Sequence, residues 1–256
     1  MISVHLKKNT PPRVLAVFSY RYDAHLVPAL IANVDPLVDG WISYDDRRGT
    51  GLFSDEVRRR SLLLTEALKM GASWVLAVDP DERFEAALVQ QIGPLMADPT
   101  VGAYTFALRE LYDPLHYRVD GIWGQKRQAR LLSLRKGIVT PPGNLHLSWS
   151  SFLPQPKLCD TQINLYHLKM ITPLRRKARA VLYNFLDPNR QSQTVGYDYL
   201  ADERGARLEP IARGREYCPV HQEDNGLWMP SVPLRSQFSR RAGAFVKWLR
   251  KFRLRV

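Results

Sequence analysis

The sequence predicts an α/β fold: a three-layer α/β/α arrangement around a largely parallel sheet that turns mixed toward its C-terminal half. Three observations support it. Val14 to Phe18 and Trp74 to Val78 are short apolar runs of the length expected for buried strands. Apolar residues at helical spacing occupy 24–33 and 54–70 between those runs. Each run stops abruptly at a polar loop carrying acids, as strands do where they leave an open sheet. Strands alternating with helices give parallel pairing with helices on both faces.

The elements follow in order. After Phe18 comes the loop Ser19-Tyr20-Arg21-Tyr22-Asp23, then a helix with Leu26, Ala29, Leu30 and Asn33 on one face. Val38 to Tyr44 reads as the second strand and ends at Asp45-Asp46. Ser54 is placed to cap the next helix, with Asp55 and Glu56 in its first turn, where the helix dipole favours negative charge. Gly71 stops that helix, and the strand 74–78 runs into Asp79-Pro80-Asp81-Glu82. A helix over 85–97 and a strand from Val101 to Leu108 come next. Residues 111–150 are rich in Tyr, Trp, Gly and Pro, which predicts loops and antiparallel strands, including Arg130 to Leu134. Gln162 to Lys169 is a further strand. Thr172 caps a basic helix that starts with Pro173 and runs to Leu186. The domain reading is a catalytic-type body over 1–190, a Pro/Gly-rich extension over 191–234, and a tail over 235–256.

Bulk composition narrows the class. With 256 residues, 45% hydrophobic and 24% charged, the chain matches an ordinary globular protein. Cys159 and Cys218 form no zinc spacing and no disulfide framework. Residues 1–12 lack the apolar core of a signal peptide, and no run reaches membrane-spanning length, so the expectation is a cytoplasmic protein. Of the net charge of +12, the tail contributes +8 through eight Lys and Arg and no acid, leaving +4 for the rest. Phe238, Ala242, Phe245, Leu249, Phe252 and Val256 form one apolar stripe within that tail. A basic amphipathic helix there suits an anionic membrane surface at the inner face, a nucleic acid, or the body of the protein itself.

The acids after the third α/β strand carry the chemistry. Asp79 and Asp81 share one side of an extended turn. Clustered carboxylates repel unless a positive partner joins them, and hard cations such as Mg²⁺ or Mn²⁺ take oxygen ligands together with substrate phosphates. The plain alternative is a polar turn that caps the next helix. Pro80 stiffens the turn and removes one N–H. Glu82 has two readings, a support for the ligands or the helix cap.

The motif W-x-x-x-x-D-x-D-E spans Trp74 to Glu82. Two stretches accompany it: Tyr117 to Gly124, leading to Arg130-Leu131-Leu132, and Ile163 to Lys169, placed before the basic helix. Together they resemble the GT-A-fold glycosyltransferases of the family-2-like group, over residues 13–190. The resemblance implies transfer of a sugar from a nucleotide-diphosphate donor, such as a UDP-sugar, to an acceptor hydroxyl; an inverting course is favoured, and a retaining course, which needs no base, stays open beside it. It implies Mn²⁺ or Mg²⁺ held by Asp79, Asp81 and His167. It implies a nucleotide site built from Ser19, Tyr20, Arg21, Asp23, Asp45 and Asp46, with Asp79 toward the diphosphate. An inverting transferase needs a carboxylate base. The candidates are Glu110, Asp113 and Asp120, and Asp120 is favoured beside Trp123. The acceptor would be a glycan, a lipid-linked glycan or a modified DNA base. Arg58 to Arg60, and Arg175, Arg176, Lys177 and Arg179, read mainly as solvated helix faces. Two rivals stand beside this reading. A nucleotidyltransferase usually carries a Gly-rich loop after its first strand, and none follows Phe18. A binding module without chemistry has no evident need for Asp79, Asp81 and His167 together.

Overall fold

A computed structural model describes residues 1–49, 55–142, 147–190 and 195–221. The first half of the chain contains β1 (Ile2–Leu6), β2 (Val14–Tyr20), α1 (Val27–Val34), β3 (Gly40–Asp45), α2 (Glu56–Lys69) and β4 (Trp74–Ala77). Then follow β5 (Glu82–Phe84), α3 (Leu88–Ala97), β6 (Ala103–Glu110), β7 (His116–Arg118), β8 (Arg127–Ser133), β9 (Leu158–His167), α4 (Pro173–Leu186) and β10 (Leu208–Pro210).

Alternation along the central strands generates the layers. Successive side chains of a strand point to opposite faces. Val14, Ala16, Phe18, Trp74 and Leu76 pack with Leu30 and Val34 of α1 and with Leu88, Ile92 and Met96 of α3. Leu15, Val17, Val75 and Ala77 pack on the other side with Leu63, Leu64 and Ala67 of α2 and with Trp149 and Phe152. The strands are therefore apolar on both faces, which is why they read as unbroken runs.

The main sheet has eight strands in the order β1-β3-β2-β4-β8-β6-β9-β5. The pairs β2–β3, β2–β4 and β6–β9 are parallel, and β1–β3, β4–β8, β6–β8 and β5–β9 are antiparallel. The sheet is thus mixed, and less parallel than the strand-helix alternation of the first third predicts. Two strands account for much of the difference. β1 is an edge strand with exposed Ser3, Val4 and His5, so it has no apolar run to reveal it. β5 is only three residues, two of them charged, and lies just before the helix that the pattern predicts over 85–97.

The helix termini follow local chemistry. Asp55 caps α2: its carboxylate accepts the Arg58 N–H at 3.1 Å. Ser54 lies outside the described residues. Gly71 takes a φ of 79°, the left-handed conformation that ends α2 at little cost. Thr172 Oγ1 accepts the Arg175 N–H at 3.2 Å, and Pro173 occupies the first turn of α4. The expectation of a solvated basic face on α4 is corrected. Arg175, Arg176 and Arg179 are buried, because Asp23, Asp81 and Glu203 face them.

Residues 195–221 fold onto the same body. Tyr197 and Leu200 pack with Met170, Ala180 and Trp123. β10 pairs with β7, and Tyr217 packs beside Tyr166 at a ring separation of 5.2 Å. Widely spaced aromatic anchors do this work, and they leave no periodic pattern in the sequence. The basic tail over 235–256 lies outside the described residues. Among the described residues, no helix is long and apolar enough to cross a membrane.

Candidate active site at the strand ends

The turn after β4 is held from below. The Glu82 N–H donates to the Asp79 carbonyl at 2.9 Å, and the Glu82 carboxylate accepts the Asp79 N–H at 3.0 Å. Glu82 therefore braces the turn and caps no helix. Arg130, on the neighbouring strand β8, donates to both Glu82 oxygens at 2.9 and 2.5 Å and to Asp79 Oδ2 at 3.2 Å. Burial works to lower the Arg130 pKa, but Glu82 and Asp79 outweigh it and raise it. The guanidinium stays charged.

Asp81 points inward, 5% exposed. Its Oδ2 lies 2.6 Å from Arg179 Nη2 and 3.5 Å from Arg175 Nη2. The same two arginines hold Asp23, from the loop after β2, with Arg175 Nη2 at 2.9 Å from Asp23 Oδ1. Burial pushes Asp81 up, but Arg179, His167 and Arg175 bring it well below the usual carboxylate range.

Sheet register brings His167 into the group. At the end of β9 it stands opposite Glu82 of β5 on one side and Glu110 of β6 on the other. Its Nε2 is 3.5 Å from Asp81 Oδ1, and its Nδ1 is 2.9 Å from Glu110 Oε2, off the line of a hydrogen bond. Burial works against a charged imidazole. Glu110 and Asp81 together overcome it and hold His167 well above the ordinary histidine range. Burial also raises Glu110, and the His167 charge turns the balance so that Glu110 sits below its ordinary value.

These groups open on a cavity of about 610 Å³. Ser19, Tyr20, Arg21 and Asp23 line it from β2 and its loop, and Asp79 and Asp81 line it from the β4 turn. Glu110 and His167 line it from the β6–β9 side. Asp45 and Asp46 lie outside the lining. Asp45 pairs with Arg47 at 2.6 Å, and Asp46 pairs with Arg21 at 2.6 Å, which fixes Arg21 against the cavity. Asp120 is also outside it. Both Asp120 oxygens are taken by Arg118, at 2.7 and 2.8 Å, and the Arg207 N–H donates to it at 2.8 Å. The structure therefore separates Asp120 from the acids it was expected to join, and Trp123 is buried against Tyr199 rather than lining the cavity.

Sequence reasoning missed Arg130, Arg179, Lys126, Lys169, Tyr183, Tyr197 and Tyr199, all of which line the cavity. Arg130 is signalled only by lying in the strand that follows the aromatic segment. Arg179 is one basic residue among several in α4. The three tyrosines lie in two segments without a shared motif.

The acids fit a divalent cation in a limited sense. Among the described residues, no three His, Cys, Asp or Glu side chains already form a metal cage. Mg²⁺ is commonly held by only one or two carboxylates, with phosphate oxygens and water completing the shell. Asp79, 37% exposed at its side chain and bordering the cavity, suits that arrangement, and Asp81 also lines the cavity; His167, held charged by Glu110 and Asp81, would join only after losing a proton. Comparison of the chain with protein-family models and with curated proteins gives no match.

Proposed function

We propose that the protein is a glycosyltransferase of GT-A type, which uses a nucleotide-diphosphate sugar and an acceptor hydroxyl. The observation that supports this most is the convergence of Asp79, Asp81, Glu110 and His167 on one cavity at the strand ends of an α/β sheet. Open α/β sheets bind ligands at the carboxyl ends of their strands. The first-strand loop, with Tyr20 and Arg21, is placed for the nucleotide. Arg130 and Arg179 carry positive charge to the edge where a diphosphate would lie.

A bound Mn²⁺ or Mg²⁺ would supply Lewis-acid stabilisation of the departing nucleotide diphosphate, held by Asp79 and Asp81 with His167 beside them. The chain's own residues perform the remaining work. Glu110, ionised at neutral pH, takes the proton from the acceptor hydroxyl. The acceptor oxygen bonds to the anomeric carbon as the bond from that carbon to the diphosphate oxygen breaks. His167 holds Glu110 in place from its other side. Arg130 braces the Asp79 turn through Glu82, so that the acids keep their spacing during the reaction. Glu110 takes the base role in place of Asp120, because it lines the cavity.

The test is a thermal-shift panel of nucleoside diphosphates, each with Mn²⁺, Mg²⁺ or EDTA, followed by a donor-turnover assay on the best binder. A ligand at 100 times its dissociation constant adds about 2.7 kcal/mol of stability. A metal-dependent shift with one diphosphate supports the reading. No shift with any of them, and no turnover, overturns it.

A further inference from the structure

We propose that the cavity end formed by β6, β8 and β9 is a subsite for an acidic sugar, one carrying a carboxylate or phosphate, with Lys126 and Lys169 as the groups that recognise the charge. The inference rests on the transferase reading and names the acceptor class of that same site.

Charge matching in the cavity is uneven. Asp23, Asp79, Asp81 and Glu82 are each joined to a guanidinium, and Glu110 faces His167. Lys126 and Lys169 have no such match: among the described residues, neither ammonium makes a hydrogen bond or an ion pair. Both line the same cavity as Glu110. Lys169 Nζ stands 5.0 Å from the centre of the Tyr183 ring, which disperses its charge without neutralising it. Two cations in a partly enclosed cavity leave positive potential that an anion would satisfy, through charge-assisted hydrogen bonds roughly twice as strong as neutral ones.

The neighbouring wall favours a sugar as the carrier of that anion. Tyr183 and Tyr197 pack at a ring separation of 5.2 Å, and Tyr199 leans on Trp123 at 5.8 Å. Tyr183 and Tyr199, both partly exposed, offer ring surface to the C–H face of a pyranose, with Tyr197 buried behind Tyr183. Sheet order sets Glu110, at the end of β6, apart from β2. Between β2 and β6 lie β4 and β8, so those two strands are about 14 Å apart at about 4.8 Å per strand, while α4 brings Tyr183 against Tyr22 of the loop after β2. Glu110 lies at the lysine end, where an acceptor hydroxyl needs it.

The experiment is a glycan array, probed with the full chain in the presence of the nucleoside diphosphate that binds best, for wild type and for the double variant Lys126→Gln with Lys169→Gln. The +8 tail attracts acidic glycans on its own, so the variant is the discriminating arm. The expected result is preference for uronate- or phosphate-bearing glycans over neutral counterparts by about tenfold, which corresponds to about 1.4 kcal/mol. The double variant should lose that preference yet keep its thermal shift with the nucleoside diphosphate. Equal binding of acidic and neutral glycans, no acidic-glycan signal, or a preference that survives the double variant overturns the subsite. Loss of the nucleoside diphosphate shift in the double variant also overturns it, because the lysines would then serve the donor. If no nucleoside diphosphate binds, the array is probed without one. An acidic preference removed by the substitutions then supports the acid subsite while the transferase reading falls.

Discussion

Arg179 Nη2 lies 2.6 Å from Asp81 Oδ2 and also holds the Asp23 carboxylate, so one guanidinium joins the loop after β2 to the turn after β4. Arg175, fully buried, makes the same connection from one helical turn earlier, at 2.9 Å from Asp23 and 3.5 Å from Asp81. The two loops are thereby set by α4, an element more than 90 residues further along the chain than Asp81.

Removing Arg175 should expose the cost of this arrangement. Breaking a buried ion pair from one side leaves an uncompensated charge and destabilises by about 3–5 kcal/mol. Arg175→Met keeps the volume and deletes the charge. Urea denaturation is expected to show a loss of that order. A loss below about 1 kcal/mol would mean that Arg179 alone satisfies Asp23 and Asp81.

Asp81→Asn and Asp79→Asn should separate structure from chemistry. Asp81 is buried among arginines, so its amide variant is expected to lower both the melting temperature and donor turnover. Asp79 is partly exposed, and its variant is expected to melt near the wild-type temperature while turnover falls about 10²–10³-fold, the usual loss when one charge-stabilising group is removed. EDTA should abolish turnover in the wild type, and Mn²⁺ should restore it. Full turnover in EDTA at saturating donor would remove the metal from the scheme.

The choice of base is testable by comparing two acids. Glu110→Gln is expected to lower kcat about 10²–10⁴-fold, the range for losing a general base. Asp120→Asn, away from the cavity, is expected to change kcat by no more than about twofold. The reverse ranking would return the role to Asp120.

Asp120 carries a pH signature instead. Hydrogen bonds from Arg118 bring its pKa down to about 2 from an ordinary value of 3.8. A depressed carboxylate contributes stability that is fully present above its unfolded pKa and is lost as pH falls through the folded value. The Asp120 contribution should therefore be intact at pH 5 and should fade between about pH 4 and pH 2. Urea midpoints measured across that range should fall less steeply for Asp120→Asn than for wild type. Parallel acid limbs would contradict the pairing.

Much of the scaffold is legible from residue order. β2, β4, α2 and α4 lie within a residue or two of where apolar runs and caps place them, because burial on both faces produces unbroken apolar strands and end groups such as Thr172 act locally. β1, β5 and the packed segment 195–221 were not legible in that way. Edge strands need little apolar surface, and isolated aromatic anchors such as Tyr197 and Tyr217 have no period to detect.

The sequence by itself determined the α/β class, the acid turn from Asp79 to Glu82, and His167 as a partner worth seeking. Those features are local, written in runs and spacings of a few residues. Only the tertiary structure decided which charges meet. It placed Glu110 against His167 through the β6–β9 register, turned Arg175 and Arg179 inward onto Asp23 and Asp81, and moved Asp120 away from the cavity into the grip of Arg118. Ion pairing and strand register act between residues far apart in the chain, so no local pattern of side chains specifies them.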